Sequence, residues 1–270
     1  MIERLSYQEY EARPGVRQSN LKHLAKSPAH YKQALTEHAD TEALAFGRAL
    51  HVAVLEPHLF DEQFVIAPKI NKRTTVGKAA WADLQSSGKA VLSESDGEAI
   101  AGIKASIKAH PAASQILGLS SDREASIFWN DVETGVACKA RMDVTCPAMA
   151  AVVDLKSTKD ASIFEFSKSL LNFGYHYQAA HTLAGCAALK IPFDSFIFIA
   201  VEKEPPYAVA VYQIDEESLL FGALKVQELL RLYKACEASG VWPAYPYQIQ
   251  KISLPSWATK SMKENGNGEF

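Results

Sequence analysis

The apolar positions of this chain change period near residue 120. Before that point they recur at helical spacing, and local signals mark where helices begin. Ser19 reads as a cap for a helix over 20–26, Pro28 opens one over 29–35, and Thr41 caps one over 42–55. Helices over 77–87 and 94–109 follow, the second with Ile100, Ile103 and Ile107 on one face. From residue 124 the period falls to two. Segments 124–129, 135–145 and 151–157 predict three strands of an antiparallel meander. Helical spacing returns over 158–171 and 175–189, where Tyr175, Gln178 and Thr182 share a face. The continuous apolar run 193–201 and the alternating run 208–214 predict a strand pair, and 216–239 an amphipathic helix. Beyond Trp242 the chain is broken by Pro243, Pro246 and Pro255 and ends in a polar stretch.

This order predicts an α/β fold in one domain over 1–260: a central mixed sheet flanked by helices, with a helical N-terminal region over about 1–110, a core over about 120–240, and a flexible tail at 261–270. Two core strands carry reactive side chains. In Val152-Val153-Asp154-Leu155-Lys156, Asp154 and Lys156 project from one face while Val153 and Leu155 point into a core. In the preceding strand Lys139, Arg141 and Asp143 fall on a polar face and Cys138, Ala140, Met142 and Val144 on an apolar one. A hairpin brings the two aspartates together. Clustered carboxylates repel unless a cation sits between them, and hard oxygen ligands suit Mg²⁺ or Mn²⁺. A metal can activate water and neutralise a phosphoryl group, and Lys156 can orient the attacking water and stabilise the transition state. That combination is nuclease chemistry.

An Asp-x-Lys on a strand is more often a solvated edge or a cross-strand ion pair. Here the apolar run Ala151-Val152-Val153 argues for a buried strand, where unpaired charge is costly and a metal supplies the reason for it. His51 sits among Leu44, Gly47, Ala49, Leu50, Val52 and Ala53, and from the residues alone it reads as a core histidine with one satisfied hydrogen bond.

With 270 residues, 48% of them hydrophobic, the chain can bury a full core. No apolar run approaches the ~20 residues needed to cross a bilayer. The first residues lack a signal-peptide core, so a soluble cytoplasmic protein with no membrane partner is expected. The four cysteines, Cys138, Cys146, Cys186 and Cys236, lack the spacing of a zinc ribbon or iron–sulfur site and read as reduced core residues. A net charge of −3 argues against a general nucleic-acid coat protein, because nonspecific DNA affinity comes from surplus Lys and Arg. DNA contact must therefore be local. Lys69, Lys72, Arg73 and Lys78 are the candidates, with a solvated surface loop as the equal alternative.

The blocks Gly47-Arg48-Ala49-Leu50-His51, Asn71-Lys72-Arg73-Thr74, Glu124-Ala125-Ser126-Ile127-Phe128-Trp129, Asp154-Leu155-Lys156-Ser157-Thr158, Tyr175-His176-Tyr177-Gln178 and Ser253-Leu254-Pro255-Ser256-Trp257-Ala258 closely resemble, in order and spacing, the catalytic domain of RecE-type exonuclease VIII. That group lies in the PD-(D/E)xK nuclease superfamily with the lambda exonuclease and RecB nuclease domains. The resemblance implies a PD-(D/E)xK nuclease core and a Mg²⁺-dependent exonuclease, with Mn²⁺ able to substitute. Such an enzyme degrades the 5′ strand from double-stranded DNA ends and leaves 3′ overhangs for recombination.

Carried over residue by residue, the resemblance implies that Asp143 and Asp154 are metal-binding carboxylates, Lys156 is the catalytic lysine and His51 is a further metal ligand. Glu124 resembles an accessory acidic residue, and Gln178 resembles the glutamine of the helix lining the active site. Tyr175, on the face of Gln178, joins the basic cluster as a candidate DNA contact. The chain departs from related nucleases at Thr182, where a tyrosine is common, and at Met142, where the superfamily name has proline. The resemblance also implies a homo-oligomeric ring, a tetramer rather than a trimer, and a RecT-type single-strand annealing protein as a candidate partner. Competing readings are an endonuclease of the same chemistry, a CRISPR-associated nuclease carrying an iron–sulfur cluster, and a catalytically inactive DNA-binding module. The cysteine spacing disfavours the second of these, and the presence of both Asp154 and Lys156 disfavours the third.

Overall fold

The computed structural model describes residues 1–36, 41–70 and 73–254. Lys72 and the 261–270 tail lie outside these, as does the end of the resemblance from Pro255 onward. The chain opens with α1 (Tyr7–Ala12), α2 (Gln18–Lys26), α3 (Pro28–Thr36), α4 (Glu42–Leu55) and the short α5 (Phe60–Gln63). Thr41 caps α4 as its sequence predicts, accepting the Leu44 N–H at 3.3 Å. Ser19 does not cap α2. The helix begins earlier, at Gln18, with Arg17 in the cap position and its guanidinium turned to Asn20 at 2.9 Å.

Next come β1 (Phe64–Ile66), α6 (Thr75–Ser86), β2 (Ala90–Leu92), α7 (Glu94–Ala109) and α8 (Pro111–Gly118), with β1 and β2 forming a small parallel pair. The main sheet follows in β3 (Asp122–Asn130), β4 (Ala137–Cys146) and β5 (Ala151–Thr158), the antiparallel meander that the period of two predicts. Helices α9 (Ile163–Asn172) and α10 (Tyr175–Ala188) cross over to β6 (Ser195–Glu202), which lies parallel to β5. β7 (Val209–Gln213) and α11 (Glu216–Ser239) complete the fold, with strand order β3-β4-β5-β6-β7. Helix α9 starts later than residue 158 because Thr158 remains in the ladder opposite Glu202.

Helices cover both faces of this mixed sheet. On one, Leu24, Tyr31, Phe166, Ala179 and Leu229 pack against Val152, Phe196 and Phe198. On the other, Leu50, Ile103 and Ile116 pack against Val153, Leu155 and Ile199. Burial on both sides explains the nearly continuous apolar runs of β5 and β6. All four cysteines are buried and free, and no described helix is long and apolar enough to cross a membrane.

The sheet is not regular throughout. In β4, Cys138, Ala140 and Met142 lie in the first core layer, but Val144 and Cys146 lie in the second. The expectation that Val144 shares a face with Met142 is therefore corrected. The break falls at Asp143. Within the β3–β4 ladder, Glu124 falls between the Arg123–Val144 and Ala125–Met142 pairs and has φ of 51°, in the left-handed region. There β4 also leaves β5, pairing with it only over Val144, Thr145 and Cys146. Farther back Val16 takes the vacated edge, donating to Ala137 O at 2.8 Å and accepting from Lys139 N at 3.0 Å. Lys139 itself is buried, its Nζ donating to the carbonyls of Tyr10, Glu11 and Arg13 at 2.9, 3.2 and 2.7 Å.

Candidate active site

The divergence of β4 from β5 opens the sheet at Asp143, and the sequence-predicted residues gather around that opening. Asp143 is buried, and its Oδ2 accepts the backbone N–H of Leu155 at 2.8 Å. A carboxylate thus fills the ladder position that a paired strand would otherwise occupy. His51, from the middle of α4, brings Nδ1 to 3.5 Å from Asp143 Oδ2 and 3.7 Å from Glu124 Oε1. The donor atoms of His51, Glu124 and Asp143 all lie within 4.8 Å of one another.

A second group is built on β5. Asp154 and Lys156 share a face, as alternation dictates, and Lys156 Nζ lies 2.6 Å from Asp154 Oδ2. From α10, Gln178 Nε2 donates to Asp154 Oδ1 at 2.5 Å. Gly174 makes this reach possible: in the left-handed region at φ 70°, it turns the chain out of α9 and starts α10. Tyr175, half-buried, lays its ring 4.8 Å from Lys156 Nζ. The two groups meet at the Asp143–Leu155 bond, since Leu155 lies between Asp154 and Lys156 in the chain.

Electrostatics reflect this crowding of acids. Burial pushes the Asp143 carboxyl up to about 7, with Asp154 and Glu124 adding repulsion and His51 opposing it. Burial alone would lower His51, but Asp143 and Glu124 outweigh it and hold the imidazole up at about 9. Lys156 is likewise raised: burial works against its charge, while Asp154 and Asp143 favour it more strongly. Glu124 stays low despite burial, through the neighbouring His51 and its hydrogen bond from Arg141.

Arg141 is the functional residue that sequence reasoning placed on a face but gave no role. Its Nε donates to Glu124 Oε2 at 2.6 Å and its Nη1 to Leu5 O at 3.0 Å, leaving Glu124 Oε1 turned toward His51. The available signal was phase, since Arg141 shares the parity of Asp143 and lies on the strand paired with Glu124's own. Lys69, Arg73 and Lys78 are exposed around the start of α6, and the contacts described for His51, Glu124, Asp143, Asp154 and Lys156 do not extend to them.

Two carboxylates and an imidazole converging on one point, with a third carboxylate and an ammonium beside them, fit a divalent cation. His51, Glu124 and Asp143 would hold it, with Asp154 in the adjoining group.

Comparison with known proteins agrees with this fold. Residues 18–255 match the family described as a PDDEXK-like domain of unknown function (DUF3799). Over 99% of this chain and the whole of the other, the structure is similar to that of a candidate exonuclease from Eubacterium rectale, at 15% identity and a TM-score of 0.64. A phage-related exonuclease from Haemophilus somnus 129PT aligns over 87% of this chain and the whole of that one, at 14% identity and a TM-score of 0.38. None of the curated proteins compared matches the sequence.

Proposed function

Since this chain belongs to the family of PDDEXK-like domains, we propose that it is a divalent-metal-dependent nuclease acting at the opening between β4 and β5. The observation that carries this reading is the junction at Leu155, where the buried Asp143 of the donor cluster is tied to the strand presenting Asp154 and Lys156. A divalent cation bound there supplies charge neutralisation for a phosphodiester and lowers the pKa of water. The chain's own residues do the rest. Lys156 carries its proton, so it acts as a fixed positive charge toward the developing negative charge on phosphorus oxygens. Asp154 and Tyr175 hold that ammonium in place, and Gln178 fixes the carboxylate that holds it. His51, charged in the absence of a cation, must give up its proton to become a ligand.

The finer reading rests on the RecE-type resemblance of the motif blocks. The enzyme uses Mg²⁺, with Mn²⁺ substituting, and digests the 5′ strand of linear duplex DNA from its ends. The 3′ overhangs it leaves would be taken by a RecT-type annealing protein. A net charge of −3 gives one copy little hold on DNA through many cycles, which supports a homo-oligomeric ring, a tetramer, with the exposed Lys69, Arg73 and Lys78 of each copy facing its channel. Linear duplexes labelled on one 5′ or one 3′ end, beside a closed circle, test this reading. Early release of the 5′ label with an intact circle is expected. Cutting of the circle would make the enzyme an endonuclease, and early release of the 3′ label would reverse the polarity.

A further inference from the structure

The joint between α9 and α10 places an aromatic ring at the surface, two ring contacts from Lys156. Phe173 follows the last residue of α9 and is 50% exposed. Its backbone is fixed, since its N–H donates to Ser169 O at 2.9 Å and the next N–H, of Gly174, donates to Leu171 O at 3.2 Å. Across the left-handed turn at Gly174 the ring meets Tyr175, with centroids 5.6 Å apart, and Tyr175 lies in turn 4.8 Å from Lys156 Nζ. The Phe173 ring and the Lys156 ammonium are thus at most about 10 Å apart, a span that a stacked strand covers in about three nucleotides.

Charge completes this surface. From α2, Gln18 Nε2 donates to Gly174 O at 3.1 Å, and one turn further on Lys22 lays its ammonium 5.7 Å from the centre of the Phe173 ring. Lys22 enters no salt bridge among the described residues. Positive charge dominates here: after burial, the groups that hold His23 below its usual 6.5 are Lys22, His30 and Lys26, and no acid opposes them. An exposed ring under an ammonium is how proteins hold single strands, with bases stacked on rings and phosphates met by cations. An exposed cation–π contact is worth less than the stacking of a base on the same ring. A base therefore displaces the Lys22 ammonium, which is then free to meet the adjacent phosphate.

We propose that Phe173 is a stacking shelf for an unpaired base of the strand being cut, within about three nucleotides of the scissile phosphate, while Lys22 neutralises a phosphate beside that base. A duplex must fray at its end to engage Phe173, so the shelf draws a single strand toward Lys156. The inference rests on the nuclease reading above and adds to it a base-binding subsite outside the metal cluster.

Linear duplexes carrying an abasic nucleotide in turn at each of the three end positions of either strand test the shelf, with wild type, Phe173→Ala, Phe173→Trp and Lys22→Ala. Binding is measured with Ca²⁺ in place of Mg²⁺, and digestion with Mg²⁺. On intact DNA, Phe173→Ala is expected to weaken binding ~10-fold and Phe173→Trp to retain it, while Lys22→Ala lowers the slope of log affinity against log salt by about 1. One abasic position should cost the wild type the same ~10-fold and cost Phe173→Ala nothing, a coupling that a merely structural role of Phe173 does not produce. Abasic DNA that binds the wild type as tightly as intact DNA at every position, or a loss that persists undiminished in Phe173→Ala, overturns the shelf and leaves the nuclease standing. Linear DNA left uncut by the wild type in both Mg²⁺ and Mn²⁺ overturns the nuclease reading and the shelf with it.

Discussion

The Asp143 carboxylate is bonded to the backbone N–H of Leu155 at 2.8 Å, so one acidic group of the donor cluster is anchored on the strand that carries Asp154 and Lys156. This single bond sets the distance between the two halves of the site. It also keeps a buried carboxylate hydrogen-bonded while other acids crowd it, which makes its charge and its bond separable by substitution.

Asp143→Asn retains an acceptor for Leu155 and removes the charge. Since burial, Asp154 and Glu124 all disfavour that charge, the variant in metal-free buffer is expected to melt at or above the wild-type temperature. The increase in Tm on adding Mn²⁺ should be lost. Melting curves with and without Mn²⁺ read both effects, and a drop in metal-free Tm with an undiminished Mn²⁺ shift would show that Asp143 is structural.

Arg141 acts through Glu124. Arg141→Ala frees Glu124 Oε2 and should weaken Mn²⁺ binding by about 10–100-fold, the usual cost of losing a group that orients a ligand. Titration calorimetry measures it. Unchanged affinity would mean that Glu124 holds its position without the guanidinium.

For His51 the two readings of the sequence predict opposite results. As a ligand, His51→Ala lowers Mn²⁺ affinity and activity and changes the metal-free melting temperature little. As a core histidine it would lower that temperature and leave affinity and activity intact.

His181 gives the fold a pH dependence of its own. Burial beside Trp129 lowers its pKa from 6.5 to about 4. Between those values the unfolded chain binds a proton that the folded chain does not, so stability falls as pH drops from 6.5 toward 4, by up to about 3 kcal/mol. Urea unfolding across this window should show that slope, and His181→Gln should flatten it. Equal slopes for the two proteins would place the acid sensitivity in other groups.

Much of this architecture was legible in the sequence because strong local signals agreed with the tertiary outcome. Thr41, Ser93 and Asp215 stand at the caps of α4, α7 and α11, and the expected limits of those helices match the observed ones. The parity of Asp154 and Lys156 likewise followed from strand geometry. Strands β1 and β2 were not legible, because three residues show no period, and α8 escaped because it follows α7 after a single residue. The face change in β4 was hidden for a different reason. Alternation is a local rule, whereas the break depends on Glu124 in the neighbouring strand and on where β5 stops pairing. For the same reason the residues alone brought Asp143 and Asp154 together but did not show that Glu124 and His51 form the compact donor cluster with Asp143.

The most direct measurement is a time course of linear duplex digestion by wild type, Asp154→Asn and Lys156→Ala in Mg²⁺, Mn²⁺ and EDTA, with circular dichroism confirming that each variant is folded. The account predicts digestion by the wild type in either metal, none in EDTA, and rates at least ~10²-fold lower for both variants. Robust digestion in EDTA, or a folded Lys156→Ala protein that digests DNA at the wild-type rate, would contradict it.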